Sequence, residues 1–527
     1  MKKNNTVNRW KDPVPWDPSL LAPAAEGEPI SIDVVTVTYN SSKHLGPFFA
    51  GLAAIQYPSE KLAVYIADNQ SSDDSVRVVE DASIPFRKEV IRLRKNYGFG
   101  GGCNRAAARG KGEYVLFLNP DTIVGPDFFA CLDRAIAQHP QENVGAWECR
   151  QKPFEHPKYY NPATREVEWA SGACLLVKRA VLEEIGGFDS SIFLYGEDVD
   201  ISWMIRRTGR KVLYLPEVSV THNSRDEKPG LKVVQFIHSV ANNGILRWKY
   251  GNWADVREFY GYWRDLWRSP PDVPDIRRSL FRRFLKAHQQ SLTVLGKRLL
   301  SRGASSHFHP RFLHWDYEVH RLGAWVPNDR PRRNASVALV IFSPENEKRW
   351  LAETLLSARN QTIPFASIRV LSNSDLSRSF SGGGDEIEFR DDLESISLEK
   401  ILSGTLSDLQ EEYVVFASGK DLFFADLVEL VQSYANTDSA AVRVSVFRTL
   451  LEAGSERNLE VNQGMEPVAE GKFFELRADR SALRSKGAVS RLSLLRFLQD
   501  GRSLDEFDCK PEDGVSVEKT TIQFRDV

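Results

Sequence analysis

Two short acidic segments contain the residues best suited to chemistry. The first, YGEDVDISWMIRRTGRKVLYLPEVSVTHN at 195–223, places Glu197, Asp198 and Asp200 at the start of an expected helix and His222 beyond an expected strand at 211–215. A carboxylate beside a hydroxyl can accept its proton during nucleophilic attack, which makes Glu197 and Asp198 candidates for a general base. The helix dipole also favours acids at a helix start, and we interpret Asp200 as such a charge.

The second acidic segment, Phe117-Leu-Asn-Pro-Asp121-Thr, contains a candidate metal ligand. A divalent cation held by one or two protein oxygens can neutralise a departing diphosphate, and an imidazole nitrogen of His222 could complete its shell. Taken singly, Asp121 is better explained by a turn or a helix cap before 126–137, and a single histidine is more often structural. The ordered occurrence of both segments favours the functional interpretation.

The elements that must position these residues follow an alternating pattern. Runs at 31–38, 62–67, 90–93 and 114–118 predict strands of a parallel sheet, the first and the last of them buried. A helix with one apolar face is predicted between the first two, from Leu45, Phe48, Phe49, Leu52 and Ile55. This order predicts a doubly wound α/β sheet. Ligands bind beyond the carboxyl ends of such strands, where the polar clusters at Asn40, Asp68, Gly98–Gly102 and Asp121 all fall.

Composition narrows the class of protein. A chain of 527 residues is expected to form two or three domains, and 42% hydrophobic with 27% charged residues is ordinary for a globular protein. A net charge of −2 does not favour a dedicated nucleic-acid binder. Five cysteines without a CxxC pair predict reduced thiols, and no segment predicts a signal peptide or a membrane span. We therefore expect a cytoplasmic protein whose contact with the inner face of a membrane would be peripheral.

A basic segment separates two halves of the chain. Between Arg277 and Arg302 there are eight Lys or Arg residues and no acid, and apolar residues recur at helical spacing. Such a helix could lie on an anionic membrane surface. A connector helix that packs between domains requires the same apolar stripe, so both interpretations stay open.

A second α/β pattern begins at Ser336. The segments 336–343, 351–361, 368–373 and 412–417 repeat the order of the first half, which predicts an internal duplication. Ser418-Gly-Lys-Asp421 stands in place of Asn-Pro-Asp, and no Glu-Asp pair followed by His is present. We predict an N-terminal arm at 1–29, a catalytic domain at 30–250, a helical connector at 251–335 and a degenerate, non-catalytic copy at 336–527.

Seven motifs in order carry a resemblance to a known family. They are VVTVTYNSSKHL, IADNQSSDDS, KNYGFGGGCNRA, YVLFLNPDTIV, WASGACLLVKR, GGFDSSIFLYGEDVDISWMIRRTG and TH. From residue 31 to about 248 the chain resembles glycosyltransferase family 2, the inverting GT-A enzymes, and bacterial rhamnosyl- and galactofuranosyl-type members in particular. The resemblance implies a Rossmann-like GT-A fold for the first half and a degenerate GT-A-like fold for the second.

The resemblance also implies roles for individual residues. The nucleotide sugar would be bound by Thr38, Tyr39, Asn40, Asp68, Asn96, Gly98, Asn104 and Asn119. The acceptor would contact Trp169, Gly172 and Trp203, although a core position explains Trp203 at least as well. Asp198 would be the base, with Glu197 the alternative. Because Asn119-Pro-Asp121 replaces the family's DXD motif, Asp121 and His222 would hold the Mg²⁺ or Mn²⁺ cofactor.

The implied reaction is sugar transfer with inversion at the anomeric carbon. The donor would be dTDP-rhamnose, ahead of UDP-galactofuranose, and the acceptor a lipid-linked or growing saccharide of a bacterial surface polysaccharide. The second copy would serve structure, acceptor binding or assembly into a homo-oligomer. The alternatives are a bifunctional polymerase, against which the missing acids of the second copy argue, and an inactive glycan-binding scaffold, against which the intact Asp121, Asp198 and His222 argue.

Overall fold

The structure is a computed structural model that describes the chain in separate stretches. They are 29–138, 143–155, 160–223, 233–271, 275–300, 308–310, 312, 326–327, 331–343, 348–372, 387–390, 404–419, 421–423, 425–434, 441–443, 447–451, 457–461, 474–476, 483–485 and 487–490. Residues 1–28 of the predicted arm, residues 301 and 302 of the basic segment, and residues 373 and 420 of the second copy lie outside them. In the described part, no helix combines the length and apolar character needed to cross a membrane.

The chain divides into two compact units. One comprises Ala24–Tyr160 and Arg165–Asp329, and the other includes Asn161–Thr164 and Arg330–Val527. The helices between residues 233 and 300 therefore belong to the same unit as the first sheet. The four-part division drawn from the sequence stays a prediction.

An eight-stranded mixed sheet forms the centre of the first unit, in the order β3-β2-β1-β4-β8-β6-β9-β5. Its strands are β1 Ile32–Thr38, β2 Leu62–Asp68, β3 Arg87–Arg92, β4 Tyr114–Leu118, β5 Thr122–Ile123, β6 Val144–Lys152, β8 Cys174–Lys178 and β9 Lys211–His222. Strands β1 to β4 are parallel to one another, and β8 runs antiparallel to β4 and β6. A separate antiparallel pair joins β7, Phe154–Glu155, to β10, Val326–Pro327.

Helices cover both faces of this sheet. They are α1 Ser42–Ala53, α2 Ser75–Asp81, α3 Gly98–Ala107, α4 Phe128–Gln138, α5 Arg179–Ile185, α6 Glu197–Arg207, α7 Val233–Tyr250, α8 Trp253–Arg268 and α9 Ile276–Leu300. Alternate residues of β1 point to opposite faces: Ile32 packs with Phe48 of α1 and Phe129 of α4, whereas Val37 meets α3 at Gly102. The predicted doubly wound α/β sheet is confirmed.

The strand predicted at 211–215 is longer than its sequence pattern indicated. It runs for 12 residues from Lys211 to His222, through Pro216. Its pairing with β6 shifts register between Cys149 and Arg150, where Leu215 and Ser219 are the successive partners. A bulge of this kind accommodates a proline, which has no N–H to donate to the ladder. As a result, His222 is the last residue of a strand and not part of a loop.

The second unit contains a six-stranded sheet in the order β13-β12-β11-β14-β21-β16. The strands of this unit are β11 Val337–Phe342, β12 Ser367–Leu371, β13 Ile387–Arg390, β14 Tyr413–Ser418, β15 Asp421–Leu422, β16 Ala441–Arg443, β17 Phe447–Leu451, β18 Arg457–Val461, β19 Phe474–Leu476, β20 Leu483–Ser485 and β21 Gly487–Ser490. Helices α10, Lys348–Arg359, and α11, Leu427–Tyr434, also belong to it.

The second sheet repeats the topology of the first. The four strands β13, β12, β11 and β14 are parallel, and β21 runs antiparallel to β14 and β16. The strands β3-β2-β1-β4-β8-β6 have the same order and the same directions. This agreement supports the internal duplication that the sequence predicts.

Candidate active site

The carboxyl ends of β1 and β2 form one wall of the site. Thr38 and Asp68 are partners in the parallel ladder, and Thr38 Oγ1 donates to Asp68 Oδ1 at 3.1 Å. The other carboxylate oxygen of Asp68 accepts the backbone N–H of Ser71. Tyr39 follows and is half exposed, and Asn40 has a positive φ of 52° and accepts the Ser72 N–H at 2.8 Å. A buried hydroxyl and carboxylate with an exposed ring beside them suit recognition of a base and ribose.

Asn69 ties this wall to the start of α3. Its side chain accepts the Tyr97 N–H at 3.1 Å and donates to the Gly98 carbonyl at 2.9 Å. Gly98 has a φ of +75°, and a Cβ there would lie 2.1 Å from the Phe193 carbonyl oxygen. Asn96 accepts the Gly98 N–H at 2.8 Å. Only glycine fits this contact, which brings α3 against the loop that precedes α6.

Asp121 and His222 are brought together by strand pairing. Thr122 of β5 is the ladder partner of His222 in β9, and the Asn223 N–H donates to the Asp121 carbonyl at 2.9 Å. The side chains meet with His222 Nε2 3.3 Å from Asp121 Oδ1. Although burial acts to raise it, the hydrogen bond and charge of His222 hold the pKa of Asp121 below its ordinary value.

The donor set of this pair fits a divalent cation. His222 Nδ1 lies 2.6 Å from Gln151 Oε1 and can donate to it, so Nε2, which faces Asp121, is the nitrogen that a metal would bind in place of a proton. The Asn119 Oδ1 oxygen is buried and has no hydrogen-bond partner among the described residues. No group of three or more His, Cys, Asp or Glu residues converges in the described part of the chain. Two protein ligands leave coordination positions for a diphosphate and water, as is usual for Mg²⁺.

A short run of hydrogen bonds links this pair to the acids of α6. The Asn119 N–H donates to the Ala173 carbonyl at 3.0 Å. The neighbouring Gly172 N–H donates to Asp198 Oδ2 at 3.2 Å. A Cβ on Gly172 would meet the Asp198 Cβ at 3.4 Å and the Phe99 ring at 3.3 Å. The residues just before β8 are therefore in close contact with the start of α6. The two acidic segments of the sequence therefore belong to one site.

The two acids at the start of α6 differ in their surroundings. Asp198 is partly exposed, whereas Glu197 is buried and its Oε2 has no hydrogen-bond partner among the described residues. Burial, helped by the negative charges of Asp198 and Asp200, raises the pKa of Glu197 well above its ordinary value. Burial thus disfavours the charged form of Glu197, and Asp198 is the acid of the pair that solvent can reach.

Asp200 lies in the first turn of α6, as the sequence predicts, and the structure adds that its charge is buried and paired. It is completely buried, lies 2.8 Å from Lys249 Nζ and accepts the Tyr250 hydroxyl at 2.7 Å. Lys249 also reaches Asp189 at 2.8 Å, in the loop before α6. A buried carboxylate requires such a counter-charge. Lys249 at the end of α7 therefore fixes the start of α6 and the preceding loop.

Asn104 has a positioning role in the structure. Its side chain donates to the Phe188 carbonyl at 2.8 Å and accepts the Phe188 N–H at 2.9 Å. Gly187, with a φ of +75°, lies so close that a Cβ there would be 2.4 Å from Asn104 Oδ1. Both polar groups of Asn104 are thus occupied by the backbone of the loop before α6, and α3 holds that loop in place.

The two tryptophans predicted to contact the acceptor lie in a hydrophobic cluster. Trp203 is completely buried, and Trp169 is buried in the same cluster. Tyr250 and Phe312 contact Trp203 edge-on, each with ring centroids 5.3 Å away. This position favours the core role of Trp203 over the sugar platform, since a platform needs an accessible ring face.

Sequence reasoning missed Asn69 and Lys249. Asn69 lies directly after Asp68 in a polar run at a strand end, which was the available signal. Lys249 offered none, because a basic residue in the last turn of a helix is ordinary. The structure brings the predicted Thr38, Asp68, Asn96 and Gly98 together along one wall and Asn119, Asp121, Gly172 and Asp198 along another.

Comparison with known families identifies the domain. Residues 33–202 match the model of Glycosyl transferase family 2. Residues 33–202 form a family 2 glycosyltransferase domain. The eight-stranded mixed sheet of this glycosyltransferase domain is the GT-A-like α/β fold that the resemblance implied, and a second sheet is present in the other unit.

Relatives of the glycosyltransferase domain are named for sugar transfer. The N-acetylglucosaminyl-diphospho-decaprenol L-rhamnosyltransferase of Mycobacterium tuberculosis is 28% identical over 237 residues, 36% of this chain and 76% of that protein. Rhamnosyltransferase WbbL of Escherichia coli is 24% identical over 160 residues, 24% of this chain and 61% of that protein. Among solved structures, the mannosyltransferase PcManGT of Pyrobaculum calidifontis is 18% identical with a TM-score of 0.38, covering 59% of this chain and 88% of that one.

Proposed function

We propose that the glycosyltransferase domain transfers rhamnose from dTDP-rhamnose to a hydroxyl of a lipid-linked saccharide during synthesis of a bacterial surface polysaccharide. The observation that carries the reaction is the run of contacts from Asp121 through Asn119, Ala173 and Gly172 to Asp198. These contacts join the end of β4 to the start of α6, and they support a cation site and a base along the edge of the sheet where an α/β fold binds its ligand.

Asp198 is the base in this proposal. It accepts the proton of the acceptor hydroxyl while that oxygen forms its bond to the anomeric carbon and the bond from this carbon to the diphosphate breaks. Displacement from the opposite face inverts the anomeric configuration. Glu197 is less suited to this part, since it is buried and burial raises its pKa. The Gly172 N–H holds Asp198 in position by donating to its Oδ2.

Asp121 and His222 would hold the divalent metal, Mg²⁺ or Mn²⁺. The metal, when bound, supplies positive charge to the departing diphosphate. Asp121 offers a hard carboxylate oxygen and His222 an imidazole nitrogen, and the hydrogen bond to Gln151 orients that imidazole. Asn119 adds a buried carbonyl oxygen at the same strand end.

The choice of donor and acceptor rests on the relatives. The mycobacterial relative is named for rhamnose transfer to N-acetylglucosaminyl-diphospho-decaprenol, and the one from Escherichia coli is named a rhamnosyltransferase. These names support rhamnose ahead of galactofuranose, and a sugar on a lipid diphosphate as the acceptor class. The second unit lacks a matching set of acids in its sequence, and we assign it a structural or acceptor-binding role.

The test is turnover of the donor by the full-length chain. We expect release of dTDP from dTDP-rhamnose in the presence of Mg²⁺ or Mn²⁺ and a polyprenyl diphosphate N-acetylglucosamine acceptor. Asp198→Asn should lower kcat by about a hundredfold to ten-thousandfold, with binding of dTDP-rhamnose unchanged, because only proton acceptance is lost.

Asp265→Asn is the matched control, since it removes an exposed carboxylate of α8 that is 62% accessible. It should leave kcat at the wild-type level. Wild-type turnover by Asp198→Asn would contradict the assignment of the base. Faster turnover of UDP-galactofuranose than of dTDP-rhamnose would contradict the assignment of the donor.

A further inference from the structure

Helix α9 has two apolar faces, whereas its sequence suggested one stripe. The first face packs within the first unit: Leu280 and Ala287 are buried, and Phe284 stacks on Trp263 of α8 with ring centroids 4.4 Å apart. Leu280 and Phe284 belong to a hydrophobic cluster with α7 and α8. This face accounts for the apolar stripe by packing within the first unit, and the role of a connector between domains stays a prediction.

The second apolar face of α9 is exposed. Phe281, Leu285 and Leu292 are 48%, 46% and 52% accessible. They occupy positions i, i+4 and i+11, which share one side of a helix. Trp267 of α8, 44% accessible, extends this side through ring contact with Phe281 at 5.9 Å. These four residues, the exposed stripe, make a contiguous apolar surface of the kind that marks an interaction site.

Positive charge borders the exposed stripe. The exposed basic residues of α9 next to it, the basic flank, are Arg277, Arg278, Arg282 and Lys286. No Asp or Glu occurs between residues 276 and 300. One exposed acid, Asp275, directly precedes α9 and is outnumbered by the four residues of the basic flank, and Glu258 and Asp265 of α8 are each within 3.0 Å of an arginine of their own unit. The partner of this surface must therefore be both apolar and anionic.

We propose that the exposed stripe and the basic flank bind an anionic lipid bilayer. An interfacial helix buries aromatic and aliphatic side chains at the headgroup level while lysines and arginines contact lipid phosphates. Trp and Phe suit that depth, because their rings are amphipathic or polarisable. A symmetric dimer through this surface would bring the basic flank of one copy against that of the other, which disfavours a second copy as the occupant.

The proposal fits a lipid-linked acceptor but does not depend on the proposed reaction. Vesicle binding is measured on the full-length chain without donor, so loss of turnover and loss of binding are distinguishable. Sedimentation with phosphatidylcholine vesicles, with and without phosphatidylglycerol, gives the partition coefficient. We expect binding to the phosphatidylglycerol vesicles that weakens as NaCl is raised.

Two variants separate the apolar and charged contributions. Phe281→Ser with Leu285→Ser and Leu292→Ser should weaken partitioning about tenfold or more, since it removes the buried apolar surface. Arg278→Gln with Arg282→Gln and Lys286→Gln should weaken it about fivefold per charge, about a hundredfold in all. The matched control, Arg87→Gln with Lys111→Gln and Arg134→Gln, loses the same charge from exposed positions on other elements and should partition like the wild type.

Other results of these measurements would overturn the proposal. It would be wrong if the wild type did not bind phosphatidylglycerol vesicles, or if the control variant weakened binding as much as the charge variant of α9. If the serine variant instead turned a dimer into a monomer in light scattering, the exposed stripe would be a subunit interface. Unchanged melting temperatures and donor turnover in detergent would show that all three variants remain folded.

Discussion

At the scale of single residues, the two adjacent acids of α6 are separated in function by their surroundings. Asp198 is partly exposed and accepts the Gly172 N–H, whereas Glu197 is buried with one oxygen that has no hydrogen-bond partner among the described residues. Similar chemistry in different environments leaves one carboxyl open to an acceptor hydroxyl and one enclosed, with its pKa raised by burial.

The raised pKa of Glu197 predicts a pH dependence of stability. Because burial raises its pKa well above 4.5, the folded chain retains a proton there that the unfolded chain releases once the pH exceeds about that value. The contribution of Glu197 to the free energy of unfolding therefore falls as the pH rises. It falls by up to roughly 1.4 kcal/mol per pH unit until the pH reaches the folded-state pKa. Glu197→Gln removes this cost. We expect its Tm advantage over the wild type to grow from pH 4.5 to neutral pH and to vanish below pH 4.5.

Thermal unfolding across this pH range is the measurement. Glu60→Gln, which removes an exposed carboxylate, is the control, and its Tm should change with pH as that of the wild type does. A constant difference between Glu197→Gln and the wild type at every pH would show that Glu197 is ionised in the folded protein.

At the scale of elements, the site depends on the contact between α3 and the loop before α6. Gly98 meets Phe193, and Asn104 binds the backbone of Phe188. On the other side of the loop, the Asn242 amide of α7 donates to the carbonyls of Leu194 and Tyr195. The loop that leads into Glu197 and Asp198 is thus held from two sides, which pre-organises the acids.

Replacing Gly98 tests this contact. Gly98→Ala would place a Cβ 2.1 Å from the Phe193 carbonyl at a φ of +75°, so the loop must shift. Strain at a positive φ costs about 1 kcal/mol, and displacement of packed backbone adds to it, for a loss of about 2 kcal/mol or more. We expect a lower Tm and weaker binding of dTDP-rhamnose by calorimetry.

Gly46→Ala is the control for this substitution. Gly46 lies within α1, and a Cβ there would have nothing within 4 Å. Alanine at such a helical position stabilises by about 0.5–1 kcal/mol. If Gly98→Ala bound dTDP-rhamnose like Gly46→Ala, the contact with Phe193 would have no bearing on the donor site.

At the scale of the whole molecule, two sheets of the same topology differ at the residues that carry chemistry. In the first unit Asp121 follows β4 and meets His222. In the second unit, the last residue of β14 and the three residues after it are Ser418-Gly-Lys-Asp421. A fold fixes where a ligand site can form, whereas the side chains at the strand ends decide whether chemistry occurs there.

A paired substitution tests which unit is catalytic. Asp121→Asn removes a metal-binding carboxylate and should raise the Mg²⁺ or Mn²⁺ concentration for half-maximal dTDP release about tenfold or more. Asp421→Asn should leave that concentration and kcat at their wild-type values. EDTA should stop turnover in both, with recovery on adding metal back. Impaired turnover in Asp421→Asn would assign chemistry to the second unit.

Local sequence was sufficient for the strands and for several site residues. Runs such as Val34-Val-Thr-Val37 are buried strands, and the polar residues that follow them, Asp68 and Asp121 included, lie at the carboxyl ends as expected. Local sequence could not predict the contacts between segments that are distant in the chain. Asp200 and Lys249 are 49 residues apart, and no local pattern pairs them. The spacing of Phe281 and Phe284 showed that both are apolar, but only packing shows that Phe284 is covered and Phe281 is not.

The buried pair of Asp200 and Lys249 has a consequence for synthesis of the chain on the ribosome. Asp200 is translated 49 residues before the lysine that neutralises it, and the family match ends at residue 202. Burial of a carboxylate without its counter-charge is unfavourable. Helix α6, which bears Asp198, therefore cannot take its final position until α7 has left the ribosome. Nascent chains that stop short of Lys249 would therefore contain every acid of the site and still lack the site itself.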